Sequence, residues 1–332
     1  MTTVHLALED HLLTIERTDD GATAASTALD AGRLQCVTGP VDDPATVFVG
    51  TFEDGCLRVA DGTVDRLDVG GGDPVTALAI SPHNPDVVYA GTEPSRLYRS
   101  TDGGDAWTHL EGIADLPSEP EWFFPPRPDT HHVRWVEVDP FDPDRLYVGI
   151  EAGAFVLSTD GGETWRERPD GSRRDNHSLE THPDRDGLVY AAAGDGFARS
   201  TDAGETWEQP QVGLDRRYCW SVVADPAEPG SVLVSSASGA SRAHRHGTAE
   251  SYVYRLRGED AWQRLEGTGL PTGEGVVRTV FATTSEPGVV YGANNRGLYR
   301  TTDFGDEWQA VPIEWDEAFE SQVPRGMVVQ TG

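Results

Sequence analysis

Hydrophobic and polar positions alternate along this chain in short bursts, and the bursts repeat. Over Val133–Val138 apolar and polar side chains take turns, a Pro/Asp turn follows (Asp139-Pro-Phe-Asp-Pro143), and a second apolar run covers Leu146–Ile150. A glycine turn, a third run over Ala154–Ser158 and a last strand opening at Trp165 complete the unit. Period-two alternation marks half-buried strands, and clusters of Pro, Gly and Asp mark the turns between them. The pattern predicts a four-stranded antiparallel unit. No stretch carries a helical period, so the predicted class is all-β.

The unit recurs at 34–67, 75–110, 133–168, 177–209, 218–265 and 276–313, with turns such as Ser81-Pro-His-Asn-Pro85 and Asp225-Pro-Ala-Glu-Pro229 between first and second strands. The two ends of the chain supply the parts of one more. Met327–Gln330 reads as a first strand, Val4–Leu8 and Leu12–Glu16 as second and third, and Thr23–Leu29 as a fourth, with Asp19 and Gly21 in the intervening turn. Joining 326–332 to 3–30 closes a ring and leaves no free sheet edge. The prediction is one domain over 1–332, a seven-bladed β-propeller; six blades with frayed ends is the alternative.

Between third and fourth strands one phrase recurs four times, S/T-x-D-x-G-x-x-W. Its copies place Ser100, Asp102, Gly104 and Trp107; Ser158, Asp160, Gly162 and Trp165; Ser200, Asp202, Gly204 and Trp207; and Thr301, Asp303, Gly305 and Trp308. An Asp here can accept turn N–H groups, the Gly permits positive φ, and the Trp can fasten the blade edge. Repetition around a ring argues that these are structural turns and not four catalytic aspartates. The repeats resemble BNR or Asp-box repeats, as in sialidases, two-propeller xyloglucanases, sortilin-type receptors and photosystem II assembly factors. The resemblance covers nearly the whole chain and is specific for fold, not for activity. It implies a ligand face on the side away from the Asp phrases. No Arg-Ile-Pro occurs, so the resemblance does not extend to a typical sialidase site.

The Trp marks also act as a ruler. Trp165 to Trp207 is 42 residues, but Trp107 to Trp165 is 58 and Trp207 to Trp262 is 55. The excess lies in 111–132, between blades, and in 236–251, at a second-to-third-strand turn. Both fall on the face away from the Asp phrases, and long loops on a rigid scaffold carry function. Residues gathered there are Glu151, Asp175, His132, His177 and Tyr218 as candidate catalytic groups. His131, Arg134, Trp220, His244, His246, Arg278 and Trp122 are candidate ligand contacts, with Trp122, Phe123 and Phe124 as an aromatic wall or lid.

Charge narrows the partners. The chain has 56 acidic and 26 basic residues, net −30, and every basic residue is Arg. A Lys-free acidic surface resembles proteins of salt-in halophiles, where carboxylates hold water and salt screens their repulsion. Nucleic acid is excluded as a partner, since binding it needs a basic face. The three Cys form no paired framework and are expected as reduced core thiols. With no leader-like start and no membrane-length apolar run, a cytoplasmic protein without membrane contact is expected.

Three functions compete. Glycosidase-like or lyase-like cleavage needs two carboxyl groups flanking a bond, for which Glu151 and Asp175 are the candidates, with Arg134 and Arg278 holding an anionic group. The partner would then be a small sugar-like or anionic ligand. Alternatively the face binds a protein partner without chemistry. No cofactor is expected, although a divalent metal is possible, with His132, His177 and His244 as candidate ligands.

Overall fold

Seven inner strands close a ring. They run over Leu34–Thr38, Val75–Ser81, Val133–Val138, Asn176–Thr181, Tyr218–Asp225, Val280–Thr283 and Gly326–Thr331, each packed against the next and the last against the first. The computed structural model describes residues 1–18, 21–29, 32–258 and 260–331. It is a seven-bladed antiparallel β-propeller, and six blades is excluded. Blades are numbered 1 to 7 in the order of those inner strands. In blade 4 the outermost strand shrinks to a single bridge between Arg199 and Glu208.

The ring closes through both ends of the chain. Gly326–Thr331 pairs with Thr2–Ala7, which pairs with His11–Thr18 and then Gly21–Ala28. The expected Asp19 of this blade's turn lies outside the described residues. The Gln330 amide donates to the carbonyls of Pro40 at 2.5 Å and Asp43 at 2.7 Å, fastening blade 7 to blade 1.

Burial explains the register. Second strands are covered on both faces by neighbouring blades, so Leu146–Ile150, Val189–Ala193 and Val290–Asn294 are buried throughout. In Leu146–Ile150, Leu146, Val148 and Ile150 join a core with blade 2, while Tyr147 joins one with blade 4. Outer strands such as Thr63–Leu67 are exposed. A glycine in the second strand lets the next blade's inner strand come close. A Cβ added at Gly91 would fall 2.4 Å from Val133 Cγ1, and one at Gly149 would fall 2.9 Å from Asn176 Cβ. Here glycine is required for close approach.

The four S/T-x-D phrases build one turn. Ser158 Oγ accepts Gly162 N–H at 2.9 Å and donates to Asp160 Oδ1 at 2.8 Å, which accepts Thr164 N–H at 2.9 Å. The turns at Ser100, Ser200 and Thr301 repeat these bonds. Gly104, Gly162, Gly204 and Gly305 all sit at φ between 84° and 95°. Each Trp wedges against the preceding blade. Trp207 lies edge-on to Phe155 at 4.8 Å, and Trp165 donates to Glu111 O at 3.0 Å. Ser158→Ala leaves the buried Gly162 N–H without its acceptor and is expected to cost about 1–3 kcal/mol. Denaturant unfolding in high salt measures this; an unchanged midpoint would refute the turn's contribution.

Candidate functional site

The inner strands begin with a repeated irregularity. Antiparallel register slips between Leu34 and Cys36, Val75 and Ala77, Val133 and Trp135, Asn176 and Ser178, and Cys219 and Val222. Such bulges re-aim a side chain. The first residue within each slip is Gln35, Thr76, Arg134, His177 and Trp220 in turn, and Arg278 and Arg325 hold the equivalent sequence position in blades 6 and 7. Four of the five slip residues, together with Arg325, wall a cavity of about 560 Å³ at the axis, on the face away from the S/T-x-D turns. His177 instead lies wholly buried beside it.

Three carboxyl groups reach the cavity wall, Glu9, Glu151 and Asp175, and the last two lie together. Glu151 follows the second strand of blade 3, and Asp175 precedes the inner strand of blade 4. Together with His177 Nε2 they bring their nearest ligand atoms within 4.8 Å of one another. Glu151 Oε2 accepts His132 Nε2–H at 3.1 Å and lies 3.7 Å from Arg134 Nε. Asp175 Oδ1 accepts Ala152 N–H at 2.7 Å. His177 Nδ1 faces the Cys219 carbonyl at 2.6 Å, so Nδ1 carries the proton and Nε2 is left between the two carboxylates, 4.0 Å from Glu151 and 3.7 Å from Asp175. The environments push the pair apart. Burial works against ionising Glu151, but His132, then His177 and Arg134, outweigh it and hold its carboxyl well below the usual range. Burial, reinforced by the Glu151 charge, raises Asp175 despite the opposing His177.

Tyr218 and His244 form a second unit. Arg278 Nε–H donates to His244 Nδ1 at 3.0 Å, and a guanidinium only donates. Nδ1 is therefore bare, and burial followed by the Arg278 charge depresses His244 well below its ordinary value. The neutral ring keeps its proton on Nε2 and gives it to Tyr218 Oη, 3.1 Å away. The Tyr218 hydroxyl proton is then free for another acceptor, and Tyr218 lines the cavity. Burial, then Glu151 and Asp175, raise its pKa, which fits it to donate and not to act as a base.

Several expected contacts lie elsewhere. Trp122 is not a cavity wall: it is buried in the core between blades 2 and 3, with Nε1–H donating to Ser118 Oγ at 2.8 Å. Phe124 does reach the cavity, where Arg127 stacks between it and Phe52 at 4.7 Å from each ring and is held by Glu93 at 2.7 Å. His131 pairs with Glu119 outside the cavity, and His246 is exposed on the inserted loop. Arg278 is only 1% exposed, because the insertion folds as a helix over Ala240–His244 and covers it; Arg278 N–H donates to Ala243 O at 2.9 Å. His132, His177 and His244 do not converge on a metal position. The described residues that do converge are Glu151, Asp175 and His177, a donor set suited to a divalent cation. Against a cation stand His132 and Arg134, which already engage Glu151. Arg325, Glu9 and Arg33 also line the cavity and were not expected there.

Arg134, Trp220 and Arg325 also line a second axial cavity of about 320 Å³ below the first. Glu137 in its wall is pushed up to about 7, chiefly by burial and against hydrogen bonds from Trp135 and Thr181. The three cysteines are free thiols. Among the described residues no helix is long and apolar enough to cross a membrane.

No protein-family profile matches the chain. It is 25% identical over 259 residues to a xyloglucanase of a Paenibacillus species, covering 73% of this chain and 21% of that one. It is 24% identical over 266 residues to the oligoxyloglucan-reducing end-specific xyloglucanase of Emericella nidulans, covering 75% and 25%. The chain thus spans a quarter or less of the length of these relatives. Among solved structures, the GH74 xyloglucanase from Xanthomonas campestris superposes with TM-score 0.63 at 18% identity, over 95% of this chain and 52% of that one. YCF48 from Cyanidioschyzon merolae does so with TM-score 0.56 at 15% identity, over 87% and 86%. The likeness to the structures shows the fold, a propeller like those of glycosyl hydrolases.

Nitrogen NMR is expected to show His244 as the Nε2–H tautomer, still neutral at pH 6.5, where an ordinary imidazole is half protonated. A ring that titrates near 6.5, its ordinary value, would overturn the assignment. For Glu137, the folded state keeps a proton that the unfolded chain releases near 4.5. The part of the stability contributed by Glu137 is therefore expected to fall as pH rises from 4.5 through about 7. Glu137→Gln should flatten that decline in a series of melting temperatures against pH; an unaltered slope would show that Glu137 does not titrate there.

Proposed function

We propose that the upper cavity cleaves a glycosidic bond, with Glu151 and Asp175 as the acting carboxyl groups. The observation that carries this reading is the pair itself: two carboxyls from adjacent blades on one cavity wall, with protonation pushed in opposite directions. Such divergence is how one site holds both an acid and an ionised carboxylate near neutrality. The likeness to xyloglucanases over three quarters of the chain supports a sugar substrate.

In this reading Asp175 gives its proton to the leaving glycosidic oxygen as the bond from the anomeric carbon breaks. An oxygen of Glu151 bonds that carbon from the other side. Water then displaces Glu151, losing its proton to Asp175. The separation within 4.8 Å is nearer the roughly 5–5.5 Å of retaining enzymes than the roughly 6.5–9.5 Å that leaves room for water. His132 and Arg134 keep Glu151 ionised. His177 Nε2 lies between the two carboxyl groups and can take up a proton there, and Tyr218 donates to a substrate oxygen. The acidic, Lys-free surface suits work at high salt.

A second reading is a binding module without chemistry. It is favoured by length, since YCF48 is matched over most of its chain and one such structure is described as bound to D1 peptide. A screen of glycosides in high salt separates the two. Turnover is expected, with Glu151→Gln and Asp175→Asn each lowering it by about 10²–10⁴-fold. The product should retain its anomeric configuration by proton NMR. Turnover indifferent to both substitutions would sink the enzymatic reading.

A further inference from the structure

Three of the seven axial positions in the inner-strand repeat are arginine: Arg134, Arg278 and Arg325. All three approach Trp220 or the floor of the upper cavity. Arg278 Cζ stands 3.9 Å from the Trp220 ring centre and Arg134 Cζ stands 4.8 Å from it. Arg134, Trp220 and Arg325 share the wall between the two axial cavities. In a chain of net −30 this concentration of positive charge is against the composition.

The charges there are not balanced. Arg325 pairs with Glu9, and Arg134 has Glu151 at 3.7 Å. Arg33 and Arg127, at the rim, have Glu53 and Glu93 as their own partners. Arg278 is 1% exposed, its two hydrogen-bond acceptors are the neutral His244 ring and the Pro324 carbonyl, and its remaining NH2 nitrogen has none. Arg134 Nε, also buried, lacks an acceptor too. A buried charge without a counter-ion is costly, and burial, then Arg325 and Arg134, disfavour the charge on Arg278. An anion at the cavity floor would bring Arg278 the negative charge it lacks and would meet the Arg134 and Arg325 guanidinium groups that line the cavity.

We propose that the floor of the upper cavity is a carboxylate subsite, built by Arg134 and Arg325 with Arg278 as a buried third charge, and that the sugar bound there is a uronic acid. The proposal rests on the upper cavity being a sugar site, and it does not require cleavage. Arg134 and Arg325 meet the carboxylate directly, whereas Arg278 acts through the field and by holding Trp220 and His244. The free Tyr218 hydroxyl proton supplies a neutral donor beside it. Burial shields such contacts from salt far better than exposure would. A divalent cation at Glu151, Asp175 and His177 would meet the same positive field and be disfavoured by it.

Calorimetric titration of the full chain at high salt with glucuronate, glucose and acetate tests this, because none of the three contains a glycosidic bond. Glucuronate is expected to bind at least about tenfold more tightly than either glucose or acetate. Arg325→Gln should erase the preference over glucose, and Glu9→Gln, which frees Arg325, should enlarge it. The opposite signs keep the test decisive if one variant fails to fold. Glucuronate binding no tighter than glucose would overturn the proposal, as would a preference that neither variant moves. Acetate binding as tightly as glucuronate would reduce the site to a small-anion site and overturn the sugar assignment. A chain that prefers glucuronate but cleaves no glycoside upholds the subsite and refutes the hydrolytic reading.

Discussion

The structure depends on how closely one blade's inner strand can approach the second strand of the blade before it. Gly50, Gly91 and Gly149 meet Val75, Val133 and Asn176 at distances that leave no room for a methyl group. That contact sets the spacing between blades, and the tryptophans of the outer turns hold it from the periphery. With the spacing fixed at both radii, seven sheets fill the circle, and the last is completed by strands from both ends of the chain. The apolar interior is correspondingly divided into slabs between blades, with no single central core.

Because the hydrophobic slabs carry the fold, the axis is free to hold polar residues. The bulge at the start of the inner strands turns a side chain into the axial cavity in four of the five slipped strands, without disturbing the alternation that follows. Charge at the axis is thus decided position by position, almost independently of stability in the slabs. Glu151 and Asp175 enter from the ends of neighbouring strands, so their separation is set by blade spacing and not by a flexible loop.

Much of this was legible in the sequence, for physical reasons. The edges of Val133–Val138 and Leu146–Ile150 follow from period-two alternation, and the closing blade follows from complementary leftover strands. Glu151, Asp175, His132, Tyr218 and His244 line one cavity, and their sharing of a face can be read from the sequence because topology sorts turns into two faces. The bulges were not legible, since a one-residue slip leaves the apolar pattern nearly intact. Yet aligning the repeats puts Arg325 in the same place as Arg134, each two residues before an apolar side chain, Met327 and Val136. Trp122 was misplaced because its loop has no periodicity to say which ring turns inwards. Arg278 holds the same register position as Arg134, and only the fold of the inserted helix reveals that it is covered.

The wall formed by Arg134, Trp220 and Arg325 between the two axial cavities has a directional consequence. An open propeller channel would let a slender molecule thread through, entering on one face and leaving on the other. Here Arg134, Trp220 and Arg325 line both cavities, with the Arg134 guanidinium 4.8 Å from the Trp220 ring centre, and they constrict the passage. A chain too thick to pass that constriction can offer this site only a terminus or a segment lying across the rim.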